Sequence, residues 1–128
     1  MAYTTIDNPT DYFNTKLWTG NGGTQSITGI GYAPDFVWIK KRTDADGARI
    51  FDTVRGAAKG IFTNTNGAES TTSGELTAFD SDGFTLGASD AVNGNTKSYV
   101  SWNWLAGGTA SSNTDGSITS SVSANTTA

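Results

Sequence analysis

The sequence predicts an all-β protein with many short strands and a C-terminal extended arm, and three observations predict it. Thr, Ser, Gly and Asn supply nearly half of the 128 residues, a composition of turn formers and strand-tolerant polar residues with few good helix formers. Short apolar runs recur between clusters of Gly, Asn and Asp, the pattern of strands separated by turns. After Gly107-Gly108 those runs stop, and TASSNTDGSITSSVSANTTA offers one charge, Asp115, and two large apolar residues, Ile118 and Val122. The organisation read from this is a lead-in over residues 1–14, a β domain over 15–108 and a Ser/Thr-rich arm or linker over 109–128.

In the lead-in, Asn8-Pro9 and Asp11 are turn signals and Tyr12-Phe13 an anchor. Strands at about 15–19 and 24–28 flank Gly20-Asn21-Gly22-Gly23. That is a hairpin signal, because Asn and Gly tolerate the positive φ of a tight turn. Pro34 and Asp35 open the strongest strand, 36–41; it is apolar on both faces as far as Lys40 and Lys41, so it belongs in the middle of its sheet. The charged turn Thr43–Gly47 leads to a strand at 48–52, then to one or two helical turns within 53–60, kept short by Gly56 and Gly60. A long polar loop spans 63–74, and strands at 75–79 and 84–86 flank Asp80-Ser81-Asp82-Gly83. That stretch reads as an Asp-Gly hairpin turn and not a calcium loop, because Phe84 stands where a third oxygen ligand belongs. Residues 88–95 form a polar turn before the closing strand, 97–105, which contains YVSWNWL. Alternation there puts Val100, Trp102 and Trp104 on one face and Tyr99, Ser101, Asn103 and Leu105 on the other. The first face is uniformly large and apolar, and is expected to be core.

Composition also excludes classes of function. A net charge of −4 is wrong for phosphate backbones, so no nucleic-acid partner is expected. Six of the eight basic residues, Lys40, Lys41, Arg42, Arg49, Arg55 and Lys59, do cluster. Asp44, Asp46 and Asp52 lie among them, which favours local ion pairs over a basic binding patch. The longest apolar run, Phe36–Ile39, is far too short to span a bilayer, and the N-terminus lacks a signal peptide's basic start and apolar stretch. The expectation is a protein without membrane insertion or export signal. With no Cys and no His, thiol nucleophiles, Ser-His-Asp triads and ordinary zinc sites are absent. No catalysis, cofactor or metal is expected; a two-carboxylate glycosidase, with Asp80 and Asp82 as candidates, is the enzyme reading that the inventory leaves open.

Binding is the stronger expectation. An exposed aromatic face supplies area for a sugar ring, and loop carboxylates and amides fix its hydroxyls. Trp38 and Trp102 are expected in the core. Trp18 and Tyr32, beside Gly-rich turns, are the expected exposed pair, and with Asp44 and Asp46 they form the candidate ligand-binding set. Any site is expected in the loops around 20–23, 44–47 and 63–74.

The ordered blocks KLWTGNGGTQSITGIGYAPDFVWIKKR, IFDTVRGAAKGIFTN, LTAFDSDGFTLG and NTKSYVSWNWLAGG resemble a domain of tail-fibre-like and other structural proteins of marine bacteriophages, cyanophages especially. The resemblance covers residues 1–108, and the tail is similar to a segment that leads into a second related unit in longer members. What it implies is an antiparallel β-sandwich, jelly-roll or lectin-like, at the virion surface after assembly in the host cytoplasm. The implied function is a tail-fibre or surface-appendage component that recognises host-surface glycans; a capsid decoration or head-fibre protein, or a free carbohydrate-binding module, are the alternatives. Expected partners are other virion proteins and copies of the chain itself, with Ile118 and Val122 docking the arm on the domain or on a neighbouring subunit.

Overall fold

A computed structural model describes residues 8–123. The expectations for residues 1–7 of the lead-in and 124–128 of the arm lie outside the described residues. A 3-10 turn at Pro9–Asp11 precedes strands β1 (Phe13–Thr19), β2 (Gln25–Thr28), β3 (Phe36–Lys41), β4 (Arg49–Asp52), β5 (Lys59–Phe62), β6 (Ser70–Thr71), β7 (Leu76–Asp80) and β8 (Gly83–Leu86). One helical turn, α1 (Asp90–Asn93), then leads to β9 (Ser98–Trp104), β10 (Ser111–Asn113) and β11 (Ser120–Val122).

Three antiparallel sheets result. The large one runs β1-β9-β3-β4-β5-β6, the small one β2-β8-β7, and β10 pairs with β11 alone. The large and small sheets pack as a β-sandwich. Val37, Ile39, Phe51 and Tyr99 of the large sheet and Ile27, Leu76, Phe84 and Leu86 of the small one belong to a single buried cluster, each such side chain contributing about 1.5–3 kcal/mol by leaving water. β3 sits between β9 and β4, the central place that its two apolar faces predict. Asp80 pairs with Gly83 across the two-residue turn Ser81-Asp82, as the Asp-Gly signal predicts.

Four expectations are corrected. Gly20–Gly23 does not close a hairpin: β1 pairs with β9, β2 with β8, and the segment crosses from one sheet to the other. Hydrogen bonds from Gly20 N–H to Lys97 O (2.8 Å) and Gly22 N–H to Asn93 O (2.8 Å) draw the chain over the end of the sandwich. A Cβ at Gly20 would run into the backbone of Asn93 and Gly94, so the crossing needs glycine there. No helix forms at 53–60; Asp52 accepts the N–H groups of Arg55 through its carboxylate (2.9 Å) and Gly56 through its carbonyl (3.0 Å), turning the chain into β5. The helical turn lies instead within the expected polar turn at 88–95, capped by Ser89 Oγ accepting from Ala91 N–H.

The fourth correction inverts β9. Tyr99, Ser101 and Asn103 face inward and are fully buried, while Trp102 and Trp104 lie on the outer face. Register explains it: Asn103, Ser101 and Tyr99 stand opposite Val37, Ile39 and Lys41 of β3, all buried. The Tyr99 hydroxyl and the Asn103 amide nitrogen are bonded inside, while Asn103 Oδ1 is buried without a hydrogen-bond partner among the described residues. Tyr99 OH donates to Asp90 O (2.6 Å) and accepts from Gly94 N–H (2.7 Å). Asn103 Nδ2 donates to Asn14 O and Ser101 Oγ (both 3.0 Å).

This assignment predicts opposite outcomes for two aromatic truncations. Phe84→Ala should cost about 3–5 kcal/mol in denaturant unfolding, whereas Trp102→Ala, which loses an edge contact and a part-exposed ring, should cost about 1 kcal/mol. Equal losses would mean that β9 is inverted relative to this description.

Candidate functional site

The outer face of the large sheet gathers the rings that β9 turns away from the core. Strand register aligns Phe13, Trp104 and Phe36 in one row from β1, β9 and β3. A second row holds Thr15, Trp102, Trp38, Ile50 and Ile61 from β1, β9, β3, β4 and β5. Leu17, Val100 and Lys40 form a third. Leu17 is 57% exposed, and Phe13, Trp38 and Ile61 are each 37% exposed. The rings are mutually tilted: Phe13 and Trp104 by 51° at 4.9 Å, Phe36 and Trp104 by 77° at 5.2 Å, and Trp38 and Trp102 by 60° at 5.8 Å. Edges thus meet faces, the quadrupole-favoured arrangement of packed aromatics.

Consecutive lysines at the end of β3 hold the loop beyond it from both sides of the sheet. On the outer face, Lys40 Nζ donates to the carbonyls of Asp46 (2.7 Å), Lys41 (2.8 Å) and Asp44 (3.4 Å). On the inner face, Lys41, only 4% exposed, meets Asp90 at 2.5 Å, Asp46 at 3.3 Å and Asp44 at 4.0 Å. Burial alone pushes the Lys41 ammonium down, but hydrogen bonds to Asp90 and Asp46 outweigh it and hold the ammonium above the usual lysine value. Burial likewise pushes the Asp46 carboxyl up, and Lys41 and Arg49 overcome it, holding the group below the usual carboxylate range. Three of the six residues in the basic window are thus held in ion pairs: Lys41, Arg49 with Glu75 at 3.2 Å, and Arg55 with Asp52 at 2.6 Å and Glu69 at 3.2 Å; Lys40 and Lys59 donate to uncharged oxygens instead.

The four candidate ligand-binding residues are not brought together on the surface. Trp18 and Tyr32, expected exposed, are each only 9% exposed and belong to the core. β1 alternation turns Trp18 inward, where it stacks on Tyr99 (5.5 Å, 15°), meets Phe84 edge-on, and donates its indole N–H to Val92 O at 3.2 Å. Tyr32 OH donates to Asn103 O at 2.7 Å, and burial pushes its pKa up to about 12. Asp44 pairs with Lys97 at 3.0 Å and Asp46 with Lys41, so both carboxylates organise their own loop. Trp38, expected in the core, is on the outer face. Asp80 accepts from Thr85 Oγ1 at 2.7 Å, and Asp82 accepts the N–H groups of Gly31 (2.6 Å) and Gly29 (2.9 Å), which hold its carboxyl below the usual range.

The arm is a hairpin and does not dock on its own domain through its apolar residues: Ile118 is 79% and Val122 43% exposed. Its root is fixed by Asp35, whose Oδ2 accepts the N–H groups of Ala106 (3.1 Å) and Gly107 (3.0 Å). Beside it lies an open cleft of about 400 Å³ lined by Asp35, Thr53, Val54, Gly108, Thr109 and Ala110. Among the described residues, no helix is long and apolar enough to cross a membrane and no group of three acidic side chains is arranged to hold a metal ion.

These charges set a pH profile. With no histidine and no cysteine, no side chain has an ordinary pKa between about 5 and 8, so Tm should be flat there. The lowered carboxyls of Asp46 and Asp82 stabilise the fold above their unfolded pKa of about 3.9 and lose that contribution as pH falls through their lower folded values. The raised Tyr32 stabilises it below about 10 and loses its contribution as pH rises towards about 12. Thermal scans should show the plateau with both shoulders, and Asp46→Asn with Asp82→Asn should shrink the acid one; a step between pH 5 and 8 would contradict the assignment.

No curated protein and no solved structure matches the chain. A family model does, over residues 8–128: the chain belongs to the family described as a domain of unknown function, DUF7483.

Proposed function

We propose that the chain is a structural component of a bacteriophage virion, a tail-fibre or surface-appendage protein that works by assembling through its aromatic sheet face and not by catalysis. The observation that carries the reading is the outward set Phe13, Phe36, Trp38, Trp102 and Trp104 on one face of a six-stranded sheet. Phe13 and Trp38 are exposed and the other three rings part-exposed, and a contiguous apolar surface of this kind marks an interaction site. Ring tilt bears on what occupies it. Successive units of a glycan chain stack on roughly coplanar platforms, whereas rings crossing at 51° to 77° offer ridges and clefts that interdigitate with side chains. The four sequence blocks support the virion setting.

The partners under this reading are copies of the chain and other virion proteins; a capsid decoration or head-fibre protein would use the same face. Host-glycan recognition, by an appendage or by a free carbohydrate-binding module, is the second reading. It is favoured by Trp38, whose 37% exposed ring suits one saccharide.

Sedimentation of the full chain tests these readings. Trp38→Ala with Trp102→Ala should weaken self-association at least tenfold, about 1.4 kcal/mol, while leaving a cooperative unfolding transition. A wild-type chain that stays monomeric at high micromolar concentration would overturn the assembly reading. Glycan-array binding by that monomer, lost in Trp38→Ala, would establish the second.

A further inference from the structure

We infer that Asn66 is a site of self-modification: the backbone nitrogen of Gly67 attacks its side-chain amide, and the chain converts there, without an enzyme, to an aspartyl or isoaspartyl form. The inference is independent of the assembly reading and gives the long polar loop a chemistry of its own.

The reaction depends on the residue that follows. Asn is a thermolabile residue, and it is most exposed to attack before glycine, which has no Cβ to shield the backbone nitrogen. The Gly67 nitrogen bonds to Asn66 Cγ and gives up its proton to solvent hydroxide. The Cγ–Nδ2 bond breaks, and Nδ2 takes a proton from water and leaves as ammonia. Water then opens the succinimide at either of its two carbonyls, yielding aspartate or isoaspartate. No electrons change hands, and water is the one co-reactant.

The chain holds three Asn-Gly pairs, Asn21-Gly22, Asn66-Gly67 and Asn93-Gly94, and the fold restrains two of them. Asn93 is fully buried, its Nδ2 donates to Gly23 O, Gly87 O and Asn21 Oδ1, and the attacking group, Gly94 N–H, donates to Tyr99 OH at 2.7 Å. Asn21 is exposed but clamped: its Oδ1 accepts Gly23 N–H at 2.8 Å, its Nδ2 donates to Thr24 O at 3.2 Å, and Gly22 N–H donates to Asn93 O at 2.8 Å. Either residue reacts only when the end of the sandwich opens locally.

Asn66 lacks these restraints. Residues 66–69 run outside any strand, helix or turn, and Asn66 and Gly67 are both exposed. Among the described residues, the Asn66 amide makes no hydrogen bond. Gly67 N–H has one long contact, to Thr65 Oγ1 at 3.4 Å, at the weak end of hydrogen-bond geometry. The amide can therefore rotate onto the next nitrogen without breaking any packed contact. The change also stays local. None of residues 63–69 belongs to the buried cluster, and the loop is tied at its far end by Glu69 accepting from Arg55 at 3.2 Å. The product is a form of the chain one charge more negative than the encoded −4, with the same core.

The full chain is incubated at mildly alkaline pH in isotope-labelled water and digested in ordinary water, and peptide mass spectrometry reads solvent oxygen incorporated at each Asn. Labelled acid at 66 should accumulate at least tenfold faster than at 21 or 93, equivalent to about 1.4 kcal/mol of local opening free energy at the restrained pairs. In denaturant the three pairs should react at similar rates. Equal rates in the folded chain, or faster reaction at 21 or 93, would overturn the inference. Gly67→Ala checks the chemistry, because a Cβ there meets nothing nearer than Thr65 Oγ1 at 3.5 Å and the variant should fold normally. It should slow conversion at 66 at least tenfold with Tm unchanged; undiminished conversion would mean direct hydrolysis and not attack by the backbone. Asn66→Asp, which carries the product's charge, should keep the wild-type Tm, and a clear loss would show that the change is not confined to the loop.

Discussion

Asn93 closes one end of the sandwich, and most of the architecture depends on it. Fully buried, its Nδ2 donates to Gly23 O at 2.7 Å, Gly87 O at 3.0 Å and Asn21 Oδ1 at 3.1 Å, while its Oδ1 accepts the Asn21 N–H at 3.2 Å. A buried amide left without partners costs about 1–3 kcal/mol, so the β1–β2 crossing, the end of β8 and α1 are each correct only when all are present. The same helical turn takes the Trp18 indole on Val92 O, the Tyr99 hydroxyl on Asp90 O and the Lys41 ammonium on the Asp90 carboxylate. Four residues of helix thereby set the position of β1, β3, β8 and β9.

The legible part of the sequence was whatever depended on neighbours in the chain. Turn chemistry marked Asp80–Gly83, and two apolar faces marked β3 as central. Strands β3, β4, β7, β8 and β9 fall within a residue or two of the expected positions. The illegible part was what depended on strand pairing. Gly20–Gly23 has hairpin chemistry, yet its hydrogen bonds run to Asn93 and Lys97, more than seventy residues along the chain. β5 and α1 were hidden because Gly56 and Gly60 obscured one and polar residues the other.

The candidate site was missed for the same reason. In YVSWNWL, apolar size points to Val100, Trp102 and Trp104 as the inner face, but the inward, fully buried side chains are Tyr99, Ser101 and Asn103; of the other set only Val100 is buried, at 8% exposure. Hydrophobic alternation identifies the core face only when the other face is polar; on β3 and β9 both carry bulk. One signal did exist. Lys41 sits in register with Tyr99, and Asp44, Asp46 and Asp90 are the acids available to accompany a lysine inward. Ion pairing of a buried lysine therefore marks the inner face where hydrophobicity does not.

The position of β9 has a mechanical consequence. β1 and β9 are antiparallel, and Phe13 lies opposite Trp104, so the described chain enters and leaves the large sheet at the same end. Tension between those two ends would open the Phe13–Trp104 pair first and peel the strands apart one hydrogen bond at a time. Tension between the arm and something gripping the sheet face loads β9 along its axis, against ladders to β1 and β3 that must yield together. The domain is thus weak as a bead on a string and strong as a cleat.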